Sequence, residues 1–157
     1  MDLDTIDRHI LNQLQADAQL TNADLADRIG LSASACLRRV KRLEASGVVA
    51  GYVLLVEPLA IDRALDVFVE ITLNSQSETV LDAFEQAVGE CPEVMSCHLM
   101  AGDFDYQLHL AVADTADYER IHKQYLSRFP GVDRIRSAFA IRTVYATTKH
   151  VLETPAP

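Results

Sequence analysis

The chain has 157 residues, with 14 Lys and Arg against 23 Asp and Glu, so its formal net charge is −9. Its composition, 49% hydrophobic and 24% charged, is that of a folded protein and excludes a disordered chain. No apolar run approaches the roughly 18 residues of a membrane span, and the acidic N-terminus lacks the pattern of a signal peptide. The three cysteines are few and odd in number, which argues against a disulfide framework and favours a cytoplasmic protein. The length allows one medium domain or two small ones.

Apolar residues at helical spacing predict three helices in the first fifty residues, over about 4–17, 23–29 and up to Ser46. Each is preceded by residues that cap helices well: Asp4 or Thr5, Thr21-Asn22, and Ser32 or Ser34. Gly30 ends the second helix and Gly47 follows the third. Two helices joined by a short turn containing glycine are typical of a helix-turn-helix.

The third helix has two unlike faces. At 100° per residue Cys36, Val40 and Leu43 share one face, which is suited to a core. The other face and its flanks are small at the N-terminal end and cationic further along: Ser34, Ala35, Arg38, Arg39, Lys41 and Arg42. A solvated helix surface is the plain alternative, but the preceding helix and turn favour insertion into the major groove of DNA. We expect DNA contacts from this helix and from the turn before it: Asn22, Ser32, Ser34, Ala35, Arg38, Arg39, Lys41 and Arg42.

Charge separates the two parts of the chain. Residues 1–50 have a net charge of −1, whereas residues 51–157 have a net charge of −8. Short apolar segments on either side of Gly51 predict a small hairpin, or wing, that ends at about residue 56. We therefore expect a winged helix-turn-helix domain over 1–56, a linker over 57–64 and a second domain over 65–157.

The second domain is predicted to be α+β. Alternating apolar and polar residues indicate strands over 65–73, 94–101, 104–112 and 135–141, the last continuing at most to Tyr145. Helical spacing indicates helices after Ser77 and after Asp114 or Thr115. The order β-α-β-β-α-β is that of a ferredoxin-like domain, with two helices on one face of a sheet. This plan hosts many activities, so it does not by itself reveal one.

The loop Gly102-Asp103-Phe104-Asp105 is the strongest candidate for binding a small molecule. Aspartate carboxylates beside an unhindered glycine N–H group suit an amino acid, whose ammonium meets a carboxylate and whose carboxylate meets backbone N–H groups. A polar hairpin turn is the plain alternative. The spacing does not decide which of Asp103 and Asp105 meets the ligand.

The chain resembles the Lrp/AsnC (leucine-responsive, feast/famine) transcription regulators over nearly its whole length. The clearest stretches are LDTIDRHIL at 3–11, CLRRVKRLE at 36–44 and CHLMAGDFDY at 97–106. Shorter matches lie at 30–32, 51–52, 68–71 and 130–132. The family commonly carries prolines where this chain has Ala33-Ser34-Ala35, a difference that bears on sequence preference.

The resemblance implies a regulator that binds double-stranded DNA and responds to a free amino acid bound between subunits. In similar regulators, this loop and the last strand of a neighbouring subunit form the effector site. Carried over by position, that site comprises Leu99, Met100, Gly102, Asp103 and Asp105, facing Ser137, Ala138, Phe139 and Ala140. We expect at least a homodimer, paired through an apolar sheet face that the helices leave open, with octamers as a further, effector-dependent assembly.

The sequence leaves two other classes of function to consider, an enzyme and a small-molecule-binding domain that does not bind DNA. Asp103, Asp105, His98 and His109 resemble an acid–base set, but no nucleophile, P-loop or metal motif accompanies them. Cys91, Cys97 and His98 lack the paired spacing of a zinc site, so we expect no enzyme, metal or cofactor. The remaining alternative is a small-molecule-binding or metabolic domain whose N-terminal helices mediate protein contacts.

Overall fold

Three helices, α1 (Thr5–Ala16), α2 (Asn22–Ile29) and α3 (Ala33–Ala45), form the N-terminal unit. In this computed structural model, which describes residues 2–153, each helix begins where the sequence predicts it. The capping side chains of Asp4, Thr21 and Ser32 accept hydrogen bonds from the backbone N–H three residues later. Gly30 adopts φ 69°, and this left-handed conformation turns the chain from α2 into α3.

The apolar faces of the three helices meet in one small core. Its fully or nearly fully buried members are Ile10, Leu11, Leu25, Ala26, Cys36 and Leu43. Cys36 and Leu43 belong to the face of α3 that the sequence assigns to a core, so the cationic side of the helix is turned to solvent. Residues from the C-terminal end also join this unit, because Leu152 packs against the same cluster.

The small hairpin predicted over 48–56 is not formed in the described chain. Residues 50–57 have no regular secondary structure, and Tyr52 to Val56 are exposed. One reason is that the N–H of Val49 donates to the carbonyl of Leu43, so it closes the end of α3 instead of entering a strand ladder. The linker contains a 3₁₀ turn at Pro58–Ile61.

A four-stranded antiparallel sheet with two helices forms the second unit. The strands are β1 (Leu65–Leu73), β2 (Val94–Leu99), β3 (Tyr106–Val112) and β4 (Val132–Phe139). Helix α4 (Glu78–Gly89) follows β1, and α5 (Thr115–Gln124) with a 3₁₀ turn (Leu126–Arg128) follows β3. The sheet order β2-β3-β1-β4 confirms the ferredoxin-like plan.

Strict alternation divides the sheet into a core face and an open face. Val67, Val69 and Ile71 of β1 are completely buried under α4 and α5 together with alternate residues of β3. The expectation that the open face is apolar is wrong. Phe68, 40% exposed and stacked on His109, is its main large apolar side chain, and the rest is largely polar. This polar set includes Asp66, Glu70, Thr72, Gln107, Arg134 and Arg136.

The boundaries of the two units differ from the sequence prediction at the C-terminal end. Among the described residues, 2–54 and 145–153 cluster together, and residues 55–144 form the other unit. Strand β4 ends at Phe139, which pairs with Val67 of β1, and beyond it one backbone bond follows, from the N–H of Ala140 to the carbonyl of Asp66. No helix within residues 2–153 is long and apolar enough to cross a membrane.

Gly131 sets the entry into β4, which carries part of the candidate effector site. Its φ is 72°, and a Cβ atom there would lie 2.5 Å from Cγ1 of Val80 on α4. We expect Gly131→Ala to lower the free energy of unfolding by about 1–2 kcal/mol or more, from the backbone conformation alone, as measured by urea unfolding. Gly89→Ala is the matched control, since a Cβ there meets nothing within 4 Å. Equal stability of the two variants would contradict this packing role.

Candidate functional site

The basic residues of α3 fall into two groups with different surroundings. Arg38 and Lys41 are exposed, and among the described residues neither side chain makes a hydrogen bond or ion pair. Arg39 and Arg42 instead reach back to the N-terminal end of α1. The helical wheel places all four on or beside the cationic face, but in the structure Arg39 and Arg42 are engaged by carboxylates, although the Arg42 side chain is still 49% exposed.

Asp7 is the centre of the second group. Its carboxylate is completely buried and accepts from Nη1 of Arg39 at 2.8 Å and from Nη2 of Arg42 at 2.6 Å. Arg39 also donates to Asp4 at 2.7 Å. A buried carboxylate is tolerated only when charged partners and hydrogen bonds replace the water it has lost. These contacts therefore join the start of α1 to the middle of α3.

The cap of α1 is part of the same cluster. Asp4 accepts from the backbone N–H of Asp7, and the Asp7 carboxylate accepts from the backbone N–H of Asp4 in return. The Asp7 N–H and the Arg39 guanidinium hold the pKa of the Asp4 carboxyl below its usual range, and Asp4 and Asp7 raise the pKa of Arg39. Because the folded pKa of Asp4 is lowered, its contribution to stability is present at neutral pH. That contribution is lost only as the pH falls below about 3.9 and through the folded pKa.

Asn22 and Ser32 use their side chains inside the turn. Nδ2 of Asn22 donates to the carbonyl of Ala33 at 2.7 Å, which ties the start of α2 to the start of α3. Oγ of Ser32 caps α3 through the N–H of Ala35 and lies 3.3 Å from Oγ of Ser34. Ser34 is exposed and Ala35 half-buried, so the N-terminal end of the solvent face of α3 carries only small side chains.

The two aspartates of the candidate effector loop have opposite surroundings. The Asp105 carboxylate is buried and accepts from the backbone N–H of Leu73 at 2.7 Å and from Nε2 of Gln76 at 2.6 Å. Asp103 is exposed and has no hydrogen-bond partner among the described residues. The loop itself is closed by the N–H of Met100, which donates to the carbonyl of Asp105 at 2.8 Å. Asp105 therefore holds the loop to the end of β1, and Asp103 is the carboxylate that a ligand can reach.

The other half of the candidate effector site lies on β4. Ser137 and Phe139 are on the helix side of the sheet, where both contact Tyr118 of α5. Ala138 is on the open face, and the N–H of Ala140 donates to the carbonyl of Asp66. Phe139 remains 44% exposed, and on the loop side Leu99 is 61% and Met100 37% exposed.

One chain does not bring the two halves of this site together. The loop 100–105 connects β2 to β3 at one edge of the sheet, whereas β4 is the opposite edge strand. The two halves are also at opposite ends of β1, because Ser137 pairs with Val69 and Phe139 with Val67, while Asp105 is bonded to Ile71 and Leu73. A complete site built from both halves requires a second chain.

The thiol and histidine side chains form no reactive or metal-binding constellation in the described residues. Between residues 2 and 153 no group of three or more His, Cys, Asp or Glu side chains is arranged so that it could hold a metal ion. Burial raises the pKa of Cys91 and of Cys97 to about 11, which keeps both thiols protonated at neutral pH. His109 pairs with Asp66 at 2.8 Å on the open face of the sheet.

Two separate units, a helix-turn-helix with an exposed basic face and a ferredoxin-like sheet domain, define a class: the ligand-responsive DNA-binding regulators. The comparisons with known proteins agree. A family model described as winged helix-turn-helix DNA-binding matches residues 3–50, and one described as Lrp/AsnC ligand binding domain matches residues 66–150. The chain belongs to the Lrp/AsnC family. It is a transcription regulator with a DNA-binding and a ligand-binding domain, not an enzyme.

Individual relatives cover nearly the whole chain. The leucine-responsive regulatory proteins of Klebsiella pneumoniae and Escherichia coli K12 are each 43% identical over 153 residues, 98% of this chain and 93% of theirs. An AsnC family regulator from Agrobacterium tumefaciens has a TM-score of 0.90 at 37% identity, covering 96% and 97% of the two chains. A regulator from Neisseria meningitidis, solved with L-Met, has a TM-score of 0.89 at 33% identity, covering 94% and 95%. These matches exclude the alternative in which the N-terminal helices only mediate protein contacts.

The roles of Asp7 and Asp4 were missed by sequence reasoning, which used Asp4 only as a cap. The signal that was present is the pattern Asp4-x-x-Asp7 at the start of an apolar helix. That pattern matches a capping box, in which the residue three positions after the N-cap accepts a hydrogen bond from the N-cap backbone N–H. It gives no indication that Asp7 also pairs with arginines more than thirty residues away.

Asp7→Asn tests the buried cluster. We expect it to lower the free energy of unfolding by on the order of 2–4 kcal/mol, below the full loss of a buried ion pair because both arginines are partly exposed. Thermal and urea unfolding followed by circular dichroism measure this loss. Asp27→Asn on α2 is the control, because that carboxylate is exposed and has no partner among the described residues. An Asp7→Asn variant as stable as the control would contradict the bracing role.

Proposed function

We propose that α3 is the recognition helix and that its basic residues divide between contact with DNA and support of the helix. Ser34 and Ala35 allow close approach at the N-terminal end, Arg38 reaches base edges, and Lys41 meets phosphates. Arg39 and Arg42 are held by Asp4 and Asp7, so we assign them to fixing the helix. Asn22 and Ser32 position the turn. The observation that carries this proposal is the exposure of Arg38 and Lys41 beside two arginines engaged by carboxylates.

Because the chain is acidic overall, DNA binding depends on which basic residues of α3 are free to contact DNA. A net charge of −9 repels nucleic acid at long range, so binding depends on a few well-placed cations. A homodimer presents two such helices to two half-sites about 34 Å apart, or a multiple of that distance, which suits a palindromic operator. Because its target is DNA, we place the protein in the cytoplasm.

We further infer that the ligand-binding domain receives a free amino acid between subunits. The support is the exposed Asp103 carboxylate next to Gly102, together with the L-Met complex of the Neisseria regulator. Asp103 is the partner for the ligand ammonium, and the loop N–H groups are the partners for its carboxylate. The strand 137–140 of a neighbouring chain completes the site, since one chain keeps the two halves apart. A ligand buried in this way favours one assembly over another, up to octamers, and so shifts DNA binding.

Arg38→Ala tests the DNA interface. We expect specific affinity for a selected operator to fall by about 1–3 kcal/mol while the circular dichroism spectrum and melting temperature are unchanged, because Arg38 has no described intramolecular partner. Fluorescence anisotropy with labelled operator is the measurement. Arg128→Ala removes the same charge from an exposed site in the other unit and should bind DNA like the parent. Equal affinities for the two variants would remove Arg38 from the interface.

Asp103→Asn and Asp105→Asn separate ligand contact from loop support. With L-methionine as the probe, Asp103→Asn should weaken binding by about tenfold or more without lowering the melting temperature, since a charge-assisted bond is lost. Asp105→Asn should lower the melting temperature, because it weakens the acceptor of two hydrogen bonds. Isothermal calorimetry and thermal shift measure the two effects, with the exposed Asp133→Asn as control.

Two outcomes would contradict this assignment of the ligand, one in the Asp103→Asn variant and one in the parent protein. An Asp103→Asn variant that binds L-methionine as tightly as the parent would exclude that carboxylate as the ammonium partner. A parent stabilised by none of the twenty common amino acids would contradict the amino-acid effector itself.

A further inference from the structure

The segment after β4 is held at both of its ends. Residues 141–153 have no helix or strand, and most of their apolar side chains are exposed, with Ile141, Val144, Tyr145 and Val151 all above 80%. Exposed irregular chain of this kind is ordinarily free to move. Here side-chain hydrogen bonds fix it first near its start and again near residue 150.

The first attachment is to the sheet. Oγ1 of Thr143 donates to the Asp66 carboxylate at 2.9 Å, and the N–H of Ala140 donates to the carbonyl of the same residue at 3.0 Å. His109 lies 2.8 Å from the second carboxylate oxygen of Asp66. The chain thus remains bound to the sheet for three residues beyond the candidate effector strand.

The second attachment is to α1 of the helix-turn-helix unit. The Gln15 side chain bonds both backbone groups of His150, donating to its carbonyl at 3.1 Å and accepting from its N–H at 2.6 Å. Nδ2 of Asn12 donates to the carbonyl of Leu152 at 3.2 Å, and the Leu152 side chain packs on the apolar core of the unit. Asn12 and Gln15 lie on α1 and are not among the residues proposed to meet DNA.

We propose that residues 140–153 form a strap that restrains the helix-turn-helix unit relative to the sheet domain. We further propose that the strap transmits conformational changes from the end of β4 to the helix-turn-helix unit. Only six residues, 144–149, separate the two attachments. Because an extended chain spans at most about 3.3–3.6 Å per residue, the distance between the two attachments is limited. The linker over 57–64, on the other connection between the units, is longer, and its large apolar residues Leu59 and Ile61 are exposed. The transmission part rests on the proposed effector site at 137–140, whereas the restraint does not.

The restraint is tested without any effector. A half-site is first selected from random DNA. Two copies are then placed on one duplex, either in phase or half a helical turn out of phase. The measured quantity is the ratio of the dimer's affinity for the in-phase duplex to its affinity for the out-of-phase duplex, called the phase ratio. Gln15→Ala and a chain ending at Ala146 remove the second attachment. For both we expect the ratio to fall about threefold or more, and affinity for a single half-site to stay within about twofold, because α3 is unchanged.

Gln19→Ala is the matched control, since Gln19 is exposed and its side chain contacts nothing described. It should keep the phase ratio of the parent. The restraint is overturned if Gln15→Ala and the shortened chain also keep it, or if the parent itself shows no preference between the two phases.

A second arm uses L-methionine and separates the strap from the effector proposal. If the strap transmits, L-methionine changes the operator affinity of the parent, whereas Gln15→Ala binds L-methionine equally well by calorimetry and loses most of that change. A full response in Gln15→Ala overturns transmission. A parent that binds no amino acid contradicts the proposed effector and the transmission with it, while the phase ratio still decides whether the strap restrains the helix-turn-helix unit.

Discussion

A completely buried carboxylate determines how the DNA-binding unit is built. Asp7 lies under α3 with no access to water, and it is stable there only because Arg39 and Arg42 supply charge and hydrogen bonds. The same contacts fix where α3 lies against α1, which a small apolar core alone defines less exactly. They also leave Arg38 and Lys41 as the basic residues of α3 whose side chains have no carboxylate partner among the described residues. One interaction therefore serves both the packing of the helices and the selection of the surface that we propose to meet DNA.

The ligand-binding unit uses a buried aspartate in a similar way. Asp105 accepts from the backbone of Leu73 and from Gln76, so the loop after β2 is tied to the end of β1. This contact separates two carboxylates that look equivalent in the sequence, because it occupies Asp105 and leaves Asp103 in solvent. The second half of the candidate site is on the opposite edge strand, so the complete site depends on assembly of two chains. If the effector binds as we propose, assembly and ligand binding are linked by the fold.

Local patterns were sufficient to predict most of the fold. Helices α1 to α3, their caps and the order of strands and helices along the chain follow from spacing and capping, which depend on residues a few positions apart. The missed features join distant residues. Asp7 pairs with Arg42 across 35 positions, and Gln15 with His150 across 135. A helical wheel assigns Arg39 and Arg42 to a face but not to a partner, and the polar open face of the sheet depends on strand register. The absent hairpin at 48–56 reflects an N–H group already used to close α3.

The most direct test of the division among the arginines is the salt dependence of operator affinity. Each phosphate contact adds about 0.9 to the slope of log affinity against log salt concentration. Two double variants are compared with the parent at a temperature where both remain folded. Arg38→Gln with Lys41→Gln should reduce the slope and the specific affinity, whereas Arg39→Gln with Arg42→Gln should keep the slope of the parent and lose thermal stability. A slope reduced by about 1.8 per half-site, or about 3.6 for a dimer on a two-half-site operator, in the second variant would show that Arg39 and Arg42 contact phosphates. That result would contradict the account of Asp7 given above.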